Sequence, residues 1–155
     1  MEELETRIRA LEDIEQIKQL QVHYVNSLLL THFEDMADCF ASDGILDIHA
    51  GKVQGKEEMM KLFQEKLAVH HIGKEGEFVV HPIITVDEDT AKGSWLLYMQ
   101  FAQPRKLEHR PGLLEREDAP DWIQGFYEAD YIRENGEWKF KYLKWRNRLT
   151  SPMQT

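Results

Sequence analysis

Two rhythms of apolar and polar residues divide this chain. Leu4, Ile8, Leu11, Ile14, Ile17, Leu20, Tyr24 and Leu28 recur at steps of three and four, with Glu, Gln, Lys and Arg between them. That spacing predicts one helix over residues 2–30 with a continuous apolar stripe. Its first turns are expected to project and pack on a partner chain. Phe33, Met36, Ala37 and Phe40 predict a second, short helix, ended by the turn dipeptide Asp43-Gly44. A short strand is expected at 45–49, with Ile45, Asp47 and His49 on one face and Leu46 and Ile48 on the other. Past Ala50-Gly51, the residues Met59, Met60, Phe63 and Leu67 predict a third helix over 56–69.

The rhythm then changes to a period of two. Residues 77–86 read EFVVHPIITV and residues 94–101 read SWLLYMQF, separated by DEDTAKG, a polar turn ending in Gly93. A second hairpin spans 125–148, with Asn135-Gly136 at its tip, a strong local hairpin signal. In its last strand Lys139 and Lys141 alternate with Phe140 and Tyr142, and the alternation slips at Leu143, where a bulge is expected. Between the hairpins, residues 103–124 contain Pro104, Pro111, Pro120 and a charged run at 115–118, and predict a long irregular loop. Loops of that length serve as lids or partner-binding segments, or are plain surface excursions. The whole, residues 1–155, is expected to be one α+β domain, with helices on one face of a bent antiparallel sheet.

Composition narrows the range of partners. The net charge of -9 repels phosphate backbones and argues against nucleic acid. Lys139, Lys141, Lys144, Arg146 and Arg148 interleave with aromatics in the last strand, but strand alternation makes them a solvated face or a dimer rim. Cys39 is the single cysteine, so no intramolecular disulfide forms, which fits a reducing cytoplasm. The start MEELETRIRA lacks the apolar core of a signal peptide, and no run is long enough to span a membrane.

The candidate chemistry gathers on the first hairpin. Glu77, Val79 and His81 share one strand face by parity, so a carboxylate and an imidazole meet on an apolar strand. In a pocket such a pair can move a proton. The alternative is that Glu77 starts the strand in solvent and His81 is a core hydrogen-bond donor. Tyr24 lies on the apolar stripe of the first helix and could donate to a developing oxyanion, or be an ordinary core tyrosine. Trp95, Leu97, Met99 and Phe101 share a face suited to an apolar ligand. Asp47 and His49 fit an exposed strand face. His70-His71 are adjacent and point apart, with no spaced set of further ligands, so no metal site is expected. Glycine-rich phosphate loops and serine-nucleophile elbows are absent.

Several strings resemble the NTF2-like superfamily, in its SnoaL-like branch. They are IEQIKQLQVHY in the first helix, FASDGILDIHAGKVQGKEEM after the second, HPIITVDEDTAKGSWLL in the first hairpin and YEADYIRENGEWKF in the last. The resemblance covers roughly residues 8–150. It implies a cone in which three helices close a strongly curved sheet around one apolar pocket. It also implies dimers formed through the outer sheet surface. Members include dehydratases, isomerases, polyketide cyclases and non-catalytic binding proteins.

Among these, the bile-acid dehydratases abstract a proton beside a carbonyl without a cofactor. Carried over position by position, their pocket tyrosine falls on Tyr24. The carboxylate that follows it falls on Leu29, and the acid of the next strand falls on Met99. The family histidine falls on Glu77, or on His71 if an insertion is allowed. The C-terminal arginine falls on Asn147, between Arg146 and Arg148. With His81 added from strand parity, the expected site is Tyr24, Glu77, His81 and His71 for catalysis, with Phe33, Trp95, Leu97, Met99, Tyr127 and Asn147 around the ligand. The implied activity is a cofactor-free lyase or isomerase acting on a small apolar carbonyl compound. The alternative is a non-catalytic ligand-binding or dimeric interaction domain.

Overall fold

The protein is described by a computed structural model covering residues 1–68, 75–101 and 122–151, without the side chains of Glu2 and Phe101. His70, His71 and residues 103–121 of the expected loop lie outside the described residues. Helix α1 runs over Glu2–Leu29 and α2 over Phe33–Asp38. Strands β1 (Phe40–Ile48) and β2 (Gly51–Gln54) follow, then α3 (Lys56–Leu62), which continues as a π-helical turn over Phe63–Leu67. Strands β3 (Glu75–Asp87), β4 (Thr90–Phe101), β5 (Trp122–Glu134) and β6 (Glu137–Thr150) complete the order.

The six strands form one curved, unclosed sheet in the order β2-β1-β6-β5-β4-β3. All neighbours are antiparallel except β1 and β6, so the sheet is mixed. Helix α1 packs on β3 and β6 and fills the concave side. Ile17, Gln21, Tyr24, Val25 and Leu28 of α1 are buried against Trp95, Leu97, Tyr131, Phe140 and Leu143 of the sheet.

Four local expectations change. The stripe on α1 is not continuous with the core. Leu4 to Leu28 takes seven steps over 24 residues, shorter than the helical repeat, so the stripe winds roughly 120° around the axis. Leu4, Ile8 and Leu11 are therefore exposed while Ile17, Tyr24 and Leu28 are buried. Asp43-Gly44 does not end a helix but lies within β1, where pairing jumps from Phe40–Phe140 to Ile45–Tyr142. The first hairpin turns on Glu88 and Asp89, and Gly93 sits inside β4 opposite Ala129. A Cβ on Gly93 would lie 2.9 Å from Tyr131 Cε2, so the glycine makes room for that ring. The bulge in β6 falls at Lys141 rather than Leu143. Asp130 pairs with Tyr142 and Tyr131 with Phe140, which leaves Lys141 over and turns both Phe140 and Leu143 inward. At the tip, Asn135 and Gly136 both take positive φ, 54° and 85°, the backbone that a two-residue hairpin turn requires.

Candidate functional site

The inner face of the sheet carries a band of aromatic and acidic side chains. Glu77 pairs across with Met99, Val79 with Leu97, and Trp95 with Tyr127. Trp95, Leu97, Met99 and Tyr127 are all buried on this face, together with Glu77. Tyr24 reaches the band from α1. Its ring meets Tyr127 edge-on at 6.2 Å, Phe140 at 5.5 Å and Phe40 at 5.8 Å. Aromatic edges and faces carry opposite partial charge, so these contacts fix the ring as well as burying it.

Burial raises the pKa of both Tyr24 and Tyr127, and the Glu77 carboxylate raises each further. A phenol is a hydroxyl at neutral pH in any case; burial extends that state further into the alkaline range. Tyr24, Tyr127 and Glu77 are thus buried together in the interior, drawn from α1, β5 and β3. Glu75, two residues before Glu77, is buried on the same strand face. Glu75 lies two residues before the expected start of the hairpin, and the alternation Glu75-Gly76-Glu77 is the sequence signal that marks it.

His81 does not join this group. Two residues of β3, His81 and Pro82, stand opposite Trp95 alone, because pairing moves from Val80–Leu96 to Ile83–Ser94. Proline cannot donate to the ladder, and His81 takes a positive φ of 53°. The bulge resets the parity, and the imidazole is exposed. Asn147 keeps the inner-face register beside Gly125 but is exposed, with its Nδ2 donating to Thr150 Oγ1 at 3.0 Å. Phe33 is half-buried and packs its ring 5.9 Å from that of Phe63.

A second polar chain lies deeper. Trp95 Nε1 donates to Tyr131 Oη at 3.0 Å, and Tyr131 donates in turn to Gln21 Oε1 at 3.3 Å. This chain ties α1 to β4 and β5 beside the tyrosine pair. On the outer face, Asp47 accepts from Tyr142 Oη at 2.6 Å and lies 3.7 Å from Lys144. That hydrogen bond is the main reason the Asp47 carboxyl falls below its usual pKa range and Tyr142 rises to about 12. Cys39 is buried, its thiol donates to the Asp35 carbonyl, and burial pushes its pKa up to about 12. Among the described residues no group of three or more His, Cys, Asp or Glu could hold a metal ion. Nor is any described helix long and apolar enough to cross a membrane.

The profile of the SnoaL-like domain matches residues 9–144. The chain belongs to the SnoaL-like family. No curated protein matches it significantly. Among solved structures it is similar to a cystatin-like-fold protein of unknown function from Nostoc punctiforme. That match has 23% identity, 94% and 97% of the two chains covered, and a TM-score of 0.72. It is also similar to a protein from Novosphingobium aromaticivorans provisionally assigned as scytalone dehydratase, with 20% identity, 94% and 90% coverage and a TM-score of 0.72. A third is a hexachlorocyclohexane dehydrochlorinase from Novosphingobium barchaimii, with 16% identity, 94% and 93% coverage and a TM-score of 0.73. At these identities the likeness shows the fold alone: this SnoaL-like chain has the NTF2-like, cystatin-like architecture.

Proposed function

We propose that this SnoaL-like protein is a lyase or isomerase of the dehydratase type. It acts on a small, largely apolar carbonyl compound by acid–base chemistry of its own side chains. The observation that carries the reading is the burial of the Glu77 carboxyl on the inner sheet face that also carries Tyr127, against which Tyr24 packs edge-on. Glu77 takes the proton next to the carbonyl, and Tyr24, with Tyr127, donates to the enolate oxygen. Trp95, Leu97 and Met99 present the apolar wall. His71 stays the alternative base under the resemblance, whereas exposed His81 has no part in the step. The dehydratase and dehydrochlorinase names of the similar structures support an elimination chemistry on this fold.

The test is α-proton exchange. A panel of cyclic ketones in deuterated buffer is followed by NMR, with wild type, Glu77→Gln, His71→Asn and Tyr24→Phe compared. We expect exchange to fall about 100-fold or more in Glu77→Gln, the range for loss of a general base. Loss in His71→Asn with Glu77→Gln unaffected would move the base. The second reading is a non-catalytic binding domain, favoured by Leu29 and Met99 where the related dehydratases carry acids. Tight ketone binding with no exchange would select it.

We also propose that two copies pair through the outer sheet face. Phe78, Val80 and Ile83 of β3 and Phe126 of β5 are exposed there, on the same side as Leu96 and Tyr98 of β4. Contiguous apolar surface of this kind marks an interaction site.

A further inference from the structure

The start of α1 turns its apolar residues away from the domain. At about 100° per residue, Leu4, Ile8 and Leu11 sit roughly 140° around the helix from the Ile17, Gln21, Tyr24 and Leu28 face. They are 58%, 46% and 67% exposed. The same outward face continues through Glu15, Lys18 and Val22, where a shallow open depression is lined by Glu15, Lys18, Gln19, Val22, His23 and Asn26. One helix face thus bears an apolar ridge at one end and a depression with exposed Val22 at the other. Between them, Glu15 and Lys18 stand 3.6 Å apart.

We propose that this face docks a second copy of the same chain. The two α1 helices lie antiparallel about a two-fold axis passing between Glu15 and Lys18. Leu4, Ile8, Leu11, Glu15, Lys18 and Val22 fall on successive a and d positions of a heptad pattern. Antiparallel pairing centred there sets Glu15 against the partner's Lys18 and Leu11 against the partner's Val22. It also lays Ile8 over the partner's depression. Because the interface is isologous, each contact occurs twice.

A parallel pairing would instead stack like charges, glutamate on glutamate and lysine on lysine, at two adjacent core levels. The apolar contacts supply the attraction, and the charges select the direction. Asp13, buried against β5 and β6, holds the helix on its own domain, so the outward face stays free for the partner. The interface is separate from the sheet face and independent of any catalytic role.

Cysteine cross-linking of the full chain at micromolar concentration tests the geometry, with circular dichroism to confirm folding. The sites are exposed, and native Cys39 is buried. Leu11→Cys/Val22→Cys is expected to form an interchain disulfide on mild oxidation. Leu11→Cys alone is expected not to, because the two copies of residue 11 would lie roughly 16 Å apart along the axis, beyond disulfide reach. Lys18→Glu in the double-cysteine background should cut the yield about fivefold, and adding Glu15→Lys should restore it. Phe126→Glu on the sheet should leave it unchanged. Cross-linking by Leu11→Cys alone, no product from the cysteine pair, or a yield indifferent to Lys18→Glu would each overturn the proposal.

Discussion

Tyr24 shows how much one side chain's surroundings decide. Its place on an apolar helix face was legible in the sequence; its contact with Tyr127 and its burial in the same interior as Glu77 were not, since they involve residues from three separate elements. The protonation of these phenols gives a testable pH dependence. Tyr24, Tyr127, Tyr131 and Tyr142 all have folded-state pKa values raised above the ordinary phenol value, Tyr142 to about 12. A raised folded pKa means the native state binds the proton more tightly than the unfolded chain does. The resulting stability is intact below about pH 10 and is lost as pH rises beyond it. Alkaline titration followed by tyrosinate absorbance should therefore show the phenols of Tyr24, Tyr127 and Tyr131 ionising together with loss of the circular dichroism signal. Smooth ionisation with the fold intact would contradict their burial. His81 marks the opposite outcome: counting parity along β3 placed it inward, and one bulge at Pro82 moved it to solvent.

Among the elements, α1 is two helices in one. From Asp13 onward it belongs to the domain. Asp13 Oδ1 accepts from Trp138 Nε1 at 3.1 Å and from Arg133 Nη2, and Arg133 stacks over the Trp138 ring at 4.6 Å. Arg133 Nε also donates to Asp89 Oδ1 at 3.0 Å, so the clasp links α1 to the tips of both hairpins. Asp13 is 5% exposed, and removing it leaves the arginine and the indole without that acceptor. Asp13→Ala is expected to cost about 3 kcal/mol, the scale for breaking a buried charge pair, as measured by urea unfolding. A loss below about 1 kcal/mol would show the clasp to be a surface pair in effect. The sequence showed Asp13 as one more polar residue between Leu11 and Ile14. Nothing local could reveal that its partner stands 120 positions away.

For the molecule as a whole, self-association is the property most open to measurement. If the outer sheet face pairs two copies, Phe126→Glu should reduce the sedimentation coefficient toward that of a smaller species without changing the helical signal. An unchanged coefficient would remove that face from the assembly. Taken by itself, the sequence determined the number and order of the long elements, because helix and hairpin periodicities and the Asn135-Gly136 turn are local properties of consecutive residues. It also determined the family, through strings that reflect those same elements. The tertiary structure alone decided which polar groups share the interior. Bulges at His81-Pro82 and Lys141 reset strand parity, and the helical drift of α1 turned half of its stripe outward. Both effects accumulate over distance, so alternation counted in sequence holds within an element and fails across its irregularities. Glu77, Tyr24 and Tyr127 share the buried interior only because the curved sheet and α1 close on one another.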